Sequence, residues 1–84
     1  MKTDLKKIPG VGKNMKQMLI DIGIYCVEDL KGKNPEELFL LSCNQHHKKL
    51  DRCVLYVYKE AVYFANNQIH DEEKLKWWYW KDEV

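Results

Sequence analysis

The chain has 84 residues, 45% of them hydrophobic, and its 14 basic and 13 acidic side chains leave a net charge of +1. That length makes one domain, burying roughly 60–65% of the surface its unfolded chain would expose. The apolar content argues against disorder, and no run approaches the roughly 18 apolar residues of a membrane span. Met1-Lys2-Thr3-Asp4 leads straight into an amphipathic segment, without the continuous apolar stretch of a signal peptide, so the expectation is a soluble cytoplasmic protein. Three cysteines at irregular spacing imply no disulfide framework. So low a net charge argues against a strong general nucleic-acid binder, but the charge is unevenly spread. Residues 1–20 carry five lysines against Asp4, residues 21–47 carry two against five acids, residues 48–67 return to +2, and residues 68–84 fall to −2.

Thr3 or Asp4 can cap a short first helix that runs through Lys7. Ile8-Pro9-Gly10-Val11-Gly12-Lys13 follows. Pro9 suits the second position of a tight turn, and Gly10 can take the positive φ that a type II turn requires next. Gly12 has no Cβ, so another group can approach the backbone there. Ile8 and Val11 can pin the loop to a core. A second helix is expected over 13–22, stopped by Gly23 with Ile24 as the apolar contact behind it. This glycine-rich turn feeds a helix N-terminus, where unpaired N–H groups and the positive end of the macrodipole favour an anion, here one phosphate. Gly10, Val11, Gly12 and Lys13 would donate backbone N–H groups, with Lys7, Lys13 and Lys16 adding charge. The plainer alternative is an ordinary helix-to-helix turn.

A one-turn helix at 27–31 closes at Gly32, with a weak cap at Cys26. Asn34, Pro35 and Glu37 form a capping-box arrangement for a helix over 35–41. Residues 48–67 hold neither Gly nor Pro and give the longest helix, with Leu50, Val54, Val57, Ala61 and Phe64 in one apolar row and Leu55, Tyr58, Val62 and Ala65 in another. So wide an apolar arc places this helix at the centre of the bundle, with Val57 and Ala61 buried and Tyr56 and Tyr63 partly exposed. A short turn over 71–74 then leads to Trp77-Trp78-Tyr79-Trp80, which can complete the core, anchor a partner or stack on bases.

Other constellations carry less. His46-His47-Lys48-Lys49 would open the long helix, where positive charge opposes the macrodipole unless an anion sits there, so His47, Lys48 and Lys49 suggest a second phosphate contact. An ordinary basic surface accounts for them equally well. Cys43, His46, His47 and Cys53 could ligate zinc, but their spacing lacks the two tight pairs of structural sites, so no metal is expected and Cys53 reads as a small core residue. Nothing points to an enzyme or a cofactor: there is no nucleophile elbow, P-loop lysine or paired-carboxylate cleft.

Leu5-x-x-Ile8-Pro9-Gly10-Val11-Gly12-Lys13, with Leu19 and Gly23, resembles the helix-hairpin-helix motif of non-specific DNA-binding proteins. The resemblance implies that the hairpin amides hold DNA backbone phosphate across the minor groove. Lys16 departs from it, standing where the family usually has alanine at the helix–helix contact. Val27-Glu28-Asp29-Leu30-Lys31-Gly32, Asn34-Pro35-Glu36-Glu37-Leu38, Asp51-Arg52-Cys53-Val54-Leu55-Tyr56-Val57 and Leu75-Lys76-Trp77-Trp78 extend the likeness to the small bacterial "pathogenicity locus" helix-hairpin-helix proteins. A shift of 33 residues sets Leu5 on Leu38 and Ile8 on Leu41, while the hairpin glycines land on Cys43 and Gln45. The expected fold is therefore an all-α, SAM-like small helical bundle, a degenerate tandem of helix-hairpin-helix units. Residues 1–32 form the competent unit, 33–67 the degenerate one with the long helix, and 68–84 an aromatic segment packing back. The expected function is sequence-non-specific binding of double-stranded DNA, the alternative a non-enzymatic protein-interaction domain using the aromatic C-terminus.

Overall fold

The computed structural model describes residues 4–76, 79 and 80, all helical or loop, with no strand among the described residues. Three α-helices, α1 (Lys13–Asp21), α2 (Pro35–Gln45) and α3 (Arg52–Asn66), are flanked by 3-10 turns at Leu5–Lys7 before α1, Val27–Leu30 between α1 and α2, and Glu73–Leu75 after α3. The Cα radius of gyration of 11.8 Å is what an 84-residue globule should have, about 12 Å. The fold is thus a small all-α globule.

Local chemistry explains most of the boundaries. Gly23 stands at φ +90° after α1. The Ile24 N–H reaches the Leu19 carbonyl at 2.9 Å and the Gly23 N–H reaches that of Ile20 at 3.0 Å. That is a Schellman closure, and Ile24 is buried behind it as its apolar contact. Asn34 caps α2 by accepting the Glu36 N–H at 2.9 Å, with Pro35 in the first helical position. No bond returns from Glu37 to the cap, so only half of the expected box forms.

Two boundaries differ from expectation. α2 continues to Gln45 rather than ending at Leu41, because His47 adopts a left-handed φ of 55° and closes the helix as glycine usually does. The Lys48 N–H bonds the Cys43 carbonyl at 3.1 Å and the His47 N–H that of Asn44 at 3.2 Å. α3 begins at Arg52 rather than 48, because the Asp51 carboxylate caps it by accepting the Cys53 N–H at 3.1 Å. That bond holds the Asp51 carboxyl below its ordinary pKa. The 33-residue shift therefore carries the first turn onto the body of α2, not onto the α2–α3 connection.

The centre of the molecule is α3, as its wide apolar arc requires. Val57 and Ala61 are buried, Tyr56 and Tyr63 half-buried, so the helix phase is the expected one. Leu5, Ile8, Leu19, Leu30 and Tyr58 close the core around it. The Tyr58 hydroxyl and the Ser42 Oγ share a 2.6 Å hydrogen bond that ties α3 to α2. Burial pushes the Tyr58 pKa up. Asp4 does not cap its own turn; its carboxylate accepts the Val27 N–H at 2.8 Å, serving the turn that Cys26 leaves uncapped. Trp80 packs on Tyr63 with centroids 5.7 Å apart and donates its indole N–H to the Lys74 carbonyl at 3.0 Å. Trp77 and Trp78 lie outside the described residues.

Candidate nucleic-acid interface

The turn between Lys7 and α1 has the expected geometry. Gly10 is at φ +88°, and the Val11 N–H bonds the Ile8 carbonyl at 3.1 Å across Pro9 and Gly10. Ile8 and Val11 are buried, which anchors the turn on both sides. Gly12 is the N-cap of α1 at φ −90° and ψ −170°, an extended conformation open to any residue, with no side chain capping the helix.

One donor in the expected set is taken. The Val11 N–H is already bonded within the turn, so Val11 cannot offer it to a ligand, and its side chain serves the core. The N–H groups of Gly10, Gly12, Lys13 and Asn14 have no acceptor among the described residues. Three of them lie at the α1 terminus, where the helix places its positive partial charge. A Cβ at Gly12 would meet nothing within 4 Å beyond its chain neighbours, so the space beside that terminus is open. Lys7 and Lys13 are exposed and Lys16 is half-buried, and none has an ion-pair partner among the described residues. The arrangement sets open backbone donors beside lysine charge, the chemistry that a small anion requires.

Beneath it lies a group that the sequence pattern did not single out. Glu60 of α3 is 0% exposed, and neither carboxyl oxygen has a hydrogen-bond partner among the described residues. Its Oε1 stands only 2.5 Å from where a Cβ on Gly10 would be, so the carboxyl fills the space that a side chain at position 10 would occupy. Burial alone raises its pKa from 4.5 to about 8. At neutral pH the carboxyl is therefore mostly protonated, and the open N–H groups of the turn are not opposed by a buried negative charge. The signal was present in the spacing. Glu60 falls three residues after Val57 and four before Phe64, inside the apolar arc.

The second basic group sits elsewhere. His46, His47, Lys48 and Lys49 occupy the α2–α3 connection, two or more residues ahead of the Asp51 cap. They follow the negative end of α2, where positive charge is favourable, so the macrodipole argument for a second phosphate contact at His47, Lys48 and Lys49 no longer holds. Cys53 is exposed on the first turn of α3 rather than in the core, and the half-buried Cys43 sulfur accepts the Leu50 N–H at 3.4 Å. No cluster of three or more His, Cys, Asp or Glu among the described residues is placed to hold a metal ion. Nor is any helix among them long and apolar enough to cross a membrane.

An all-α globule with one open, lysine-flanked helix terminus defines the structural class. The match to the family model described as Cdd1, pathogenicity locus, covers residues 1–84, and the chain belongs to that family. No curated protein and no solved structure matches it.

Proposed function

We propose that the chain is a sequence-non-specific DNA-binding accessory module of the helix-hairpin-helix kind, gripping backbone phosphate of double-stranded DNA at the 10–13 turn. The observation that carries this reading is the set of N–H groups, of Gly10 in the turn and of Gly12 and Lys13 at the uncapped start of α1, that find no acceptor among the described residues. Lys7, Lys13 and Lys16 supply the charge. Such contacts fix the protein on the duplex without reading bases. The reading carries non-enzymatic action, no cofactor and a cytoplasmic location. The protein-interaction alternative based on the C-terminal aromatics has less support, because Trp80 already packs on Tyr63 and bonds Lys74.

Titration of labelled duplex with Gly12→Val and Lys13→Ala tests it. A Cβ at 12 meets no neighbour and valine needs no positive φ there, so the fold should survive while phosphate approach is blocked. Affinity should fall about tenfold or more. Lys13→Ala keeps the amides and should cost less, lowering the salt slope by about one. Both losses should be the same on unrelated duplex sequences. A folded Gly12→Val that binds as tightly as wild type would sink the proposal.

A further inference from the structure

α2 carries more apolar surface than the chain covers. Leu38-Phe39-Leu40-Leu41 are consecutive, and at about 100° per residue four in a row wrap most of the helix circumference. A helix apolar all round is ordinarily buried all round. The protein's own core takes the side bearing Leu38 and Ser42, which faces α3 and Tyr58. Leu40 is left 61% exposed and Leu41 49% exposed.

Leu40 opens onto a shallow groove of about 390 Å³, with Phe39 and Cys43 beside it. Its rim is built by the closure of α2. The left-handed His47 turns the chain back, and the Lys48 N–H is bonded to the Cys43 carbonyl, so Lys48 and Lys49 line the same groove as Leu40. Among the described residues no acidic side chain lines it, and neither lysine has an ion-pair partner. Apolar floor and cationic rim together select an occupant with the opposite pattern. Phosphate backbone would use the lysines but gains nothing from an exposed leucine.

We propose that this face of α2 docks an acidic amphipathic helix of a protein partner. Apolar side chains of that helix seat on Phe39 and Leu40, and its carboxylates meet Lys48 and Lys49 in the helix-in-groove mode. The site is independent of the 10–13 turn, so each stands or falls separately.

The test selects displayed random peptides of about 16 residues, some four helical turns, on the wild-type chain after depletion on Leu40→Asp. Leu40 is exposed enough for aspartate to be tolerated, and helical circular dichroism checks the fold of each variant. Enriched peptides should carry Asp or Glu along one edge of an apolar stripe. A synthesised winner should lose at least about tenfold in affinity with Leu40→Asp, and likewise with Lys48→Glu/Lys49→Glu. Exchanging the peptide's acids for lysine should restore binding to the Lys48→Glu/Lys49→Glu chain. Absence of enrichment, winners without acidic residues, or binding indifferent to Leu40→Asp would overturn the proposal. A concentration-dependent dimer abolished by Leu40→Asp would overturn it in favour of a second copy of the chain. Loss of duplex binding on reversing the lysines but not on Leu40→Asp would overturn it in favour of a phosphate surface.

Discussion

Glu60 is the residue whose surroundings differ most from what its side chain prefers. Unfolded, its carboxyl titrates near 4.5; in the native chain burial raises that to about 8. Between those values the folded chain holds a proton that the unfolded chain has released, so raising the pH favours unfolding. The loss from Glu60 should be absent below its ordinary value of 4.5, grow by at most about 1.4 kcal/mol per pH unit from there to about 8, and level off above. Urea melts of wild type and Glu60→Gln at pH 5, 6.5 and 8 read this directly. Glutamine should remove most of the slope and leave the variant the more stable at pH 8. An unchanged slope in the variant would mean that Glu60 is not the titrating group. Gly10 supplies a second measurement at the same contact. Gly10→Ala should destabilise by about 1–3 kcal/mol, since the positive φ is strained for alanine and its Cβ meets the Glu60 carboxyl. Adding Glu60→Ala should relieve the steric part and leave the φ part, so the two changes should be non-additive in the cycle.

Among the elements, what sequence reasoning reached and what it missed divide by range. Pro9-Gly10, Gly23 and Asn34-Pro35 act on backbone within a few residues of themselves, and each closes or opens its element where its chemistry says. The phase of α3 was equally legible, because a wide apolar arc repeats through four turns. The α2–α3 boundary was not. A histidine fills the left-handed position that glycine usually marks, and Leu50 continues the apolar row past the true start of α3. Asp4 with Val27 and Ser42 with Tyr58 join residues 23 and 16 apart, pairings that no local pattern announces. The open α1 terminus was legible from its glycines, but the internal use of the Val11 amide and the carboxyl behind Gly10 needed coordinates. The His47 closure makes its own prediction. His47→Gly relieves the left-handed strain and should raise stability by about 0.5–1 kcal/mol, whereas His47→Val should lower it by at least as much. Urea midpoints check both, and equal midpoints for the two variants would show that the closure carries no strain.

For the whole molecule, the decisive property is where the charge lies. A net charge of +1 gives little long-range attraction, yet residues 1–20 are strongly basic and hold the open helix terminus. The two acidic stretches, 21–47 and 68–84, leave no second basic segment as strong as residues 1–20 for a duplex to follow. The molecule should therefore touch duplex DNA with one end, neutralising about two or three phosphates, and log K against log salt should slope near −2 to −3. Affinity alone should be weak, which suits a module that acts beside another protein. The pH should enter through Glu60. Above pH 8 its carboxylate adds a buried negative charge behind Gly10, so binding at fixed salt should weaken between pH 7 and 9. Glu60→Gln should bind with no such loss, while Gly12→Val should be weak at every pH. A salt slope near zero in the folded wild-type chain would reduce the 10–13 turn to a structural hairpin and leave the outer face of α2 as the surface through which the chain acts.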